Sequence, residues 1–333
     1  MFVITIRRRT IWLCILAVVL TLVAACAAAG LPRLRRVSIG AARGVTVAGT
    51  NVGGLLPDEV REVVLGLVAS VERRPREALY HSETGEIIPE EAGITLDVDA
   101  TVRDVMAAPR GSRVSLVTRE VPPSVTAAML KPVYGVQTSE KACALAFNVA
   151  WGEEYVPALL SELAKAKVTA TFFLTGTWAT KFPDLVWEIA RLGHEIGNHG
   201  YDHPHVERLG EPDIVALIEK NEILIRELTG IRTTLFAPPY GEVNQRIAST
   251  AAKLGYTTVM WTVDTIDWER PKPEVILQRV ENRIAPGAII LAHPTEPTAA
   301  ALPNIISRLE RKGYRFMTVS DLLKLGEALH SRP

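Results

Sequence analysis

Apolar, β-branched segments alternate with amphipathic segments along the chain from residue 141 onward. The apolar segments cover residues 142–148, 168–174, 234–237, 256–263, 288–292 and 316–319. The amphipathic segments cover residues 155–167, 184–192, 211–228, 244–254, 273–284 and 301–312. Because strands that read as continuous apolar runs are buried on both faces, the alternation predicts a parallel sheet covered by helices. We expect an α/β domain over 141–333, a distorted (β/α) barrel with about seven parallel strands.

The composition restricts the classes of function. The 333 residues predict about two domains. The chain has 37 Lys and Arg against 37 Asp and Glu, so its formal net charge is zero. Nucleic-acid binding usually needs a clustered basic surface, and we expect no nucleic-acid partner. A hydrophobic content of 48% argues against intrinsic disorder. Cys143 is the one cysteine beyond residue 30, so we expect no internal disulfide in the folded part of the chain.

The N-terminal segment has an uncharged run at 10–29, with arginines at 7–9 before it and at 33, 35 and 36 after it. A run of this length can cross a bilayer as a helix, and we expect 1–36 to be a signal-anchor of a single-pass cell-membrane protein. The same pattern is typical of a cleaved secretory signal. A third interpretation is a lipoprotein that is acylated at Cys26. All three place the remainder of the chain outside the cytoplasm.

The region 37–120 has the pattern of a small α+β domain: short apolar strands and a helix that begins near Pro57. It resembles the peptidoglycan-binding domain of VanW-like proteins in the segments 44–57 and 88–101. The alternative is a spacer that holds the following domain away from the membrane. Residues 121–140 contain Pro122, Pro123 and Pro132 and are typical of a stiff linker.

Polar and aromatic side chains follow several strands of the predicted barrel, where catalytic groups of such folds collect. They are His199 and His203, the turn Pro238-Pro239-Tyr240, the segment from Asp264 to Trp268, and Leu291-Ala292-His293. Two imidazoles four residues apart can bind one metal ion. The alternatives are a surface histidine cluster, an ordinary turn and a structural histidine.

The ordered set of these motifs over about 141–325 resembles the polysaccharide deacetylase family, also called the NodB-homology domain. The resemblance implies a divalent metal, usually zinc, that activates water to hydrolyse the N-acetyl group of a cell-wall or related polysaccharide. It implies that His199 and His203 are metal ligands and that the backbone N–H of Tyr240, after Pro239, contacts the substrate. His293 would be the general acid, and Asp264 would hold and charge its imidazole. Leu291 would shape the acetyl pocket, and Trp268 would wall the sugar groove.

The first motif departs from the family. Asn148 occupies the position of the catalytic base and Val149 that of the aspartate ligand, and neither side chain can take that role. Ala237 replaces an arginine that pairs with the base. A subset of the family from sporulating bacteria has a similar Trp-Gly motif, here Trp151-Gly152.

Two functions are compatible with these changes. One is a metal-dependent deacetylase in which Glu153, Glu154 or Asp202 supplies the missing carboxylate. The other is a catalytically inactive pseudo-deacetylase that binds a cell-wall glycan.

Overall fold

The structure is a computed structural model, and it describes the backbone of residues 8–81 and 83–332, with all of their side chains except those of 8–14 and 27–35. The chain divides into two compact units. Unit 1 contains Met1–Arg76 and Glu91–Pro122, and unit 2 contains Glu77–Glu90 and Pro123–Pro333. The predicted domain 37–120 is therefore divided, because Glu77–Glu90 belongs to unit 2.

The described residues form helices and strands, each numbered in chain order. The helices are α1 (Arg8–Ile39), α2 (Pro57–Leu65), α3 (Val68–Val71), α4 (Val98–Ala107), α5 (Val156–Ala166), α6 (Gly176–Lys181), α7 (Pro183–Arg191), α8 (Glu211–Thr229), α9 (Gln245–Lys253), α10 (Pro273–Arg283), α11 (Glu296–Arg311) and α12 (Val319–Leu322). The strands are β1 (Thr46–Val47), β2 (Thr50–Asn51), β3 (Leu79–Tyr80), β4 (Ile87–Ile88), β5 (Gly93–Leu96), β6 (Arg113–Val114), β7 (Thr118–Val121), β8 (Gly135–Gln137), β9 (Ala142–Val149), β10 (Thr171–Leu174), β11 (Glu195–Asn198), β12 (Leu235–Phe236), β13 (Thr257–Thr258), β14 (Val263–Asp264), β15 (Ala288–Ala292), β16 (Arg315–Met317) and β17 (Glu327–Leu329).

Unit 1 is a small α+β structure. β1 pairs with β2 and β6, and β5 pairs with β7. α2 begins at Pro57, where Glu59 accepts a hydrogen bond from the amide of Leu56 at 2.9 Å and so satisfies a free donor at the helix start. Buried valines of β1, α2 and α4 form its apolar core.

Helix α1 contains the predicted membrane anchor. Among the residues whose side chains are described, no helix is long and apolar enough to cross a membrane. The predicted anchor, residues 10–29, lies partly outside those residues, because the side chains of 10–14 and 27–29 are not described.

The main sheet belongs to unit 2 and has the strand order β13-β12-β11-β10-β9-β15-β8-β17. In addition, β14 pairs with β15 and β16 pairs with β9. The pairs are parallel except for those of β8 with β15 and β17. This curled, parallel-rich sheet confirms the predicted α/β class. It has the form of a half-barrel, since within the described residues the order ends at β13 on one side and at β17 on the other.

The predicted strand at 256–263 is two strands in the structure. β13 pairs with β12, whereas β14 pairs with β15. Between β13 and β14 the backbone forms hydrogen bonds with Val133. The amide of Val133 donates to Thr258 O at 2.8 Å, and the amide of Met260 donates to Val133 O at 2.7 Å. The apolar run is continuous because most of it is buried, although its two ends belong to different parts of the sheet.

Alternation along β9 separates two apolar cores. Cys143, Leu145, Phe147 and Val149 pack in the core between the sheet and the helices. The alanines at 142, 144 and 146 pack in the core on the inner side of the curled sheet. Because successive side chains of a strand point to opposite faces, Asn148 continues the inner row.

Candidate functional site

A pocket of about 560 Å³ opens where the parallel strands of unit 2 end. Its lining residues are Asn148, Ala150, Trp151, His199, His203, Tyr240, Gly241, Trp261, Asp264, Trp268, Leu291, His293 and Arg332. The carboxyl ends of parallel strands meet at one edge of a sheet, which brings together residues far apart in the chain. The predicted site residues are all in this lining except Pro239, which is buried in the turn before Tyr240.

His199 follows β11 and is 2% exposed. Its Nδ1 lies 2.7 Å from the carbonyl oxygen of Ala237, so the proton resides on Nδ1 and is donated to that oxygen. Burial, with a smaller contribution from neighbouring His203, lowers the pKa of His199 to about 3. The ring is therefore neutral at physiological pH, and its Nε2 has a free lone pair.

His203 lies beside His199, with 5.0 Å between the ring centroids. Burial lowers its pKa as well, which favours the neutral form that binds metals. A catalytic zinc needs three protein ligands. Among the described residues, however, there is no group of three or more His, Cys, Asp or Glu side chains that could hold a metal ion. Two imidazoles alone do not fit a catalytic metal centre.

The side of the pocket formed by β9 and β12 lacks charge. Asn148 is 5% exposed and contributes a neutral amide to the lining. Val149 is fully buried in the core beneath the helices. Ala237, next to the end of β12, is 3% exposed. Glu153, Glu154 and Asp202, the predicted replacement carboxylates, are not among the lining residues. We call these three positions, Asn148 in the pocket lining and Val149 and Ala237 in the adjoining cores, the base side.

The end of β15, the neighbour of β9, has a hydrogen-bond network around His293. Asp267 is fully buried, and its Oδ1 lies 2.8 Å from His293 Nδ1. Its Oδ2 accepts hydrogen bonds from the amide of His293 at 2.6 Å and from the hydroxyl of Thr298 at 2.5 Å. An acceptor on Nδ1 fixes the ring and leaves Nε2 available for proton transfer. We call His293, Asp267 and Thr298 the acid side.

The prediction that Asp264 holds and charges His293 is wrong, because Asp267 occupies that position. Asp264 Oδ2 accepts from Trp261 Nε1 at 3.0 Å, and its Oδ1 accepts from the amide of Ile266 at 2.9 Å. Ile266 has φ +50°, an uncommon conformation for a β-branched residue, and the chain turns there so that Asp267 faces β15. Asp264, at the end of β14, therefore stabilises the loop that follows, and Asp267 contacts His293.

Trp151 is a site residue that the sequence analysis treated only as part of a motif. Its ring is parallel to that of His293, with an interplanar angle of 6° and 5.9 Å between centroids. Gly152 makes this placement possible. It has φ +82°, and a Cβ there would lie 2.0 Å from the carbonyl oxygen of Pro294, so the loop after β9 and the loop after β15 are in close contact.

Aromatic rings surround the mouth of the pocket. Trp151, Tyr240 and Trp268 are 40%, 58% and 57% exposed. Tyr240 has φ +58° and stacks on His205 with 4.2 Å between centroids. His205 Nδ1 lies 2.6 Å from Glu242 Oε1, which holds the stacked pair in place. Large aromatic rings that remain exposed beside a pocket are typical of a binding surface.

The sequence model of the family described as polysaccharide deacetylase matches residues 135–259. The uncharacterized protein YlxY of Bacillus subtilis is 36% identical over 80% of this chain and 84% of its own length. A peptidoglycan-N-acetylglucosamine deacetylase of Bacillus cereus is 36% identical over 54% of this chain and 68% of its own length.

Solved structures of this family are also similar to the chain. BA3943 of Bacillus anthracis, described as a CE4 family pseudoenzyme, matches with a TM-score of 0.58 and 33% identity, covering 80% of this chain and 96% of that chain. A BA3943 mutant described as having restored enzymatic activity matches with a TM-score of 0.58 and 32% identity, covering 80% of this chain and 99% of that chain. With its half-barrel, its strand-end histidines and these relatives, the chain belongs to the polysaccharide deacetylase family.

Proposed function

We propose that the pocket of unit 2 binds an N-acetylated cell-wall glycan without hydrolysing it, which makes the protein a pseudo-deacetylase. The observation that carries this proposal is the contrast within one pocket. The exposed aromatic rings and the hydrogen-bond network of the acid side are present, whereas the neutral amide of Asn148 occupies the position where a base is needed.

Binding is supported by the lining. Sugar rings have apolar faces that pack against aromatic rings, and Trp151 and Trp268 present such rings at the mouth of the pocket. Leu291, 4% exposed, offers an apolar wall for an acetyl methyl group. Relatives whose names describe peptidoglycan deacetylases support a wall glycan as the ligand.

Loss of turnover is supported by the base side. An amide cannot accept a proton from water at neutral pH, so general-base catalysis at residue 148 is excluded. Ala237 supplies no cation to orient a base, and the two imidazoles do not make a catalytic metal centre by themselves. The relation to a structure described as a pseudoenzyme supports the same conclusion.

The intact His293–Asp267 pair favours a second candidate, a metal-dependent polysaccharide deacetylase with a low rate. In that case His199 and His203 would hold zinc or another divalent metal, which would supply Lewis-acid chemistry, and His293 would protonate the departing amine. A base would have to come from a residue outside the described lining or from the substrate.

Acetate release separates the two candidates. The full chain and the triple variant Asn148→Asp, Val149→Asp, Ala237→Arg are incubated with N-acetylated wall glycan and zinc, and acetate and bound metal are measured. We expect no acetate from the wild type and detectable acetate from the variant, with the gain abolished by adding His293→Asn. Metal-dependent acetate release by the wild type would support the second candidate instead.

We also propose that both units lie outside the cytoplasm, held at the cell membrane by residues 10–29, and that unit 1 binds peptidoglycan. Export as a secreted protein and a lipid anchor at Cys26 are the alternatives. Proteolysis of intact cells, with and without Cys26→Ser, distinguishes them. Protection of both units from external protease would contradict export.

A further inference from the structure

A second pocket of unit 2, with a volume of about 450 Å³, lies beside the glycan pocket. Arg332, which follows β17, lines both pockets. A polysaccharide is longer than the unit that occupies one pocket, so a chain bound in the first pocket can continue past Arg332 into the second. The shared arginine therefore places the second pocket where neighbouring units or substituents of the glycan would lie.

The lining of the second pocket is basic. It contains the exposed side chains of Arg283 and Arg332, and of the described residues in the lining none is acidic. The remaining lining is small or apolar, as at Pro286 and Leu329. Neither arginine forms an ion pair with a described residue that would neutralise it. Two guanidinium groups in one pocket, with no acidic side chain in the part of the lining that the structure describes, favour an anion.

Aromatic rings hold the Arg332 side chain. Its Cζ lies 5.2 Å from the centroid of the Trp261 ring and 5.9 Å from that of Tyr134. Trp261 is itself fixed, because its Nε1 donates to Asp264 at 3.0 Å. A guanidinium packed between rings keeps its charge and loses less conformational entropy on binding than a free surface arginine.

We propose that Arg283 and Arg332 form a subsite for an anionic substituent of the bound glycan, so that the protein selects acidic N-acetylated chains over neutral ones. This inference rests on the proposed glycan-binding function. The planar guanidinium group forms paired hydrogen bonds with carboxylate and phosphate alike. The anion is therefore a carboxylate carried by a sugar or a phosphate of a wall polymer.

Calorimetric titration of the full chain with three probes tests the subsite. The probes are chitotetraose, which is neutral; a tetrasaccharide of alternating N-acetylglucosamine and N-acetylmuramic acid with free carboxylates; and a glycerol phosphate oligomer that carries N-acetylglucosamine. The variants are Arg283→Gln alone, Arg283→Gln combined with Arg332→Gln, and Trp268→Ala. Arg191→Gln is the matched control, because Arg191 is an exposed arginine of α7 that lines neither pocket.

We expect one acidic probe to bind about tenfold more tightly than chitotetraose, as for a charge-assisted contact. Arg283→Gln should weaken this preference and leave chitotetraose binding unchanged, because Arg283 does not line the glycan pocket. The double arginine variant should remove the preference, and Arg191→Gln should keep it. The preference should also shrink at high salt, which screens exposed charges. The acidic probe that binds more tightly identifies the source of the anion.

Two outcomes would overturn the inference separately from the proposed function. One is that the neutral and acidic probes bind with equal affinity and that Trp268→Ala weakens the binding of all three. The other is an equal loss of affinity for all three probes in Arg283→Gln. Failure of all three probes to bind the wild type would overturn the proposed function, and the subsite with it.

Discussion

The acid side and the base side of the pocket differ in how their polar groups are satisfied. On the acid side, one buried carboxylate, Asp267, accepts hydrogen bonds from the backbone and ring of His293 and from Thr298. On the base side, Asn148 and Ala237 contribute no charge, and Val149 is buried in the apolar core. The two sides lie in the same pocket, so the difference is not a general loss of structure.

The comparison teaches that catalytic and binding groups can be lost independently. Removing the base carboxylate while keeping its arginine would leave a charge without a partner in a partly buried site, which is destabilising. Both are absent from this chain, and the base side is electrically neutral. The acid side has additional reasons to persist, because Asp267 also fixes the loop after β15 through the His293 amide.

The most severe way to break the comparison is Asp267→Ala. It leaves the His293 amide, the imidazole and the Thr298 hydroxyl without their acceptor, and we expect the free energy of unfolding to fall by about 3 kcal/mol or more. Asp264→Ala is the control: Asp264 is half-buried and accepts two hydrogen bonds, so we expect a loss of about 1 kcal/mol. Urea unfolding measures both. A larger loss for Asp264→Ala would contradict the assignment of the acid side.

The next largest effect is expected for Gly152→Ala, because the added methyl group would force apart the loop after β9 and the loop after β15. The new Cβ would meet the Pro294 carbonyl, and we expect a loss of about 2 kcal/mol in unfolding free energy. Gly193→Ala is a matched control, since Gly193 has φ +80° and nothing within 4 Å of the added Cβ. It should cost about 1 kcal/mol, from backbone strain alone. Equal losses would show that the contact with Pro294 is not tight.

Trp268→Ala sharpens the comparison on the binding side. We expect glycan affinity to fall about tenfold, as for a central aromatic contact, with little change in stability because the ring is 57% exposed. Trp187→Ala is the control, a tryptophan of α7 that is also 57% exposed and lines no part of the pocket. Calorimetric titration with chitotetraose measures both. A similar loss in the two variants would place the glycan elsewhere.

The last effect concerns pH and is absent at neutral pH. The pKa of His199 is lowered by burial to about 3, whereas the pKa of an unfolded histidine is about 6.5. Below pH 6.5 the unfolded chain binds a proton at residue 199, whereas in the folded chain His199 stays neutral down to about pH 3. Stability is therefore full above about pH 6.5 and falls as the pH drops toward 3, by up to about 1.4 kcal/mol per pH unit. His199→Gln should reduce this slope by one proton in denaturant unfolding at several pH values. An unchanged slope would contradict a buried neutral His199.

The sequence predicted the parts of the molecule that depend on local pattern. Continuous apolar runs identified β9 and β15, and residues directly after strands identified most of the pocket lining, because parallel strands end at one edge. Strands β8 and β17 escaped prediction, since each is short and their pairing joins residues 135–137 to 327–329. Such distant pairing leaves no local signal.

Within the site, the sequence could not decide between Asp264 and Asp267. Both lie within one short segment, and the left-handed conformation of Ile266 determines which of them reaches His293. Nor could it place Trp151 on His293, because that contact depends on the close approach of Gly152 to Pro294. Tertiary packing, not residue type, determined both outcomes.

The most direct test of the account is the proton NMR spectrum of an N-acetylated wall glycan mixed with an excess of the full chain and zinc. The account predicts that the acetyl methyl signals shift or broaden as the glycan binds, that Trp268→Ala reverses this, and that no signal of free acetate grows with time. Growth of a free acetate signal with the wild-type protein would contradict the claim that the pocket binds its glycan without cleaving it.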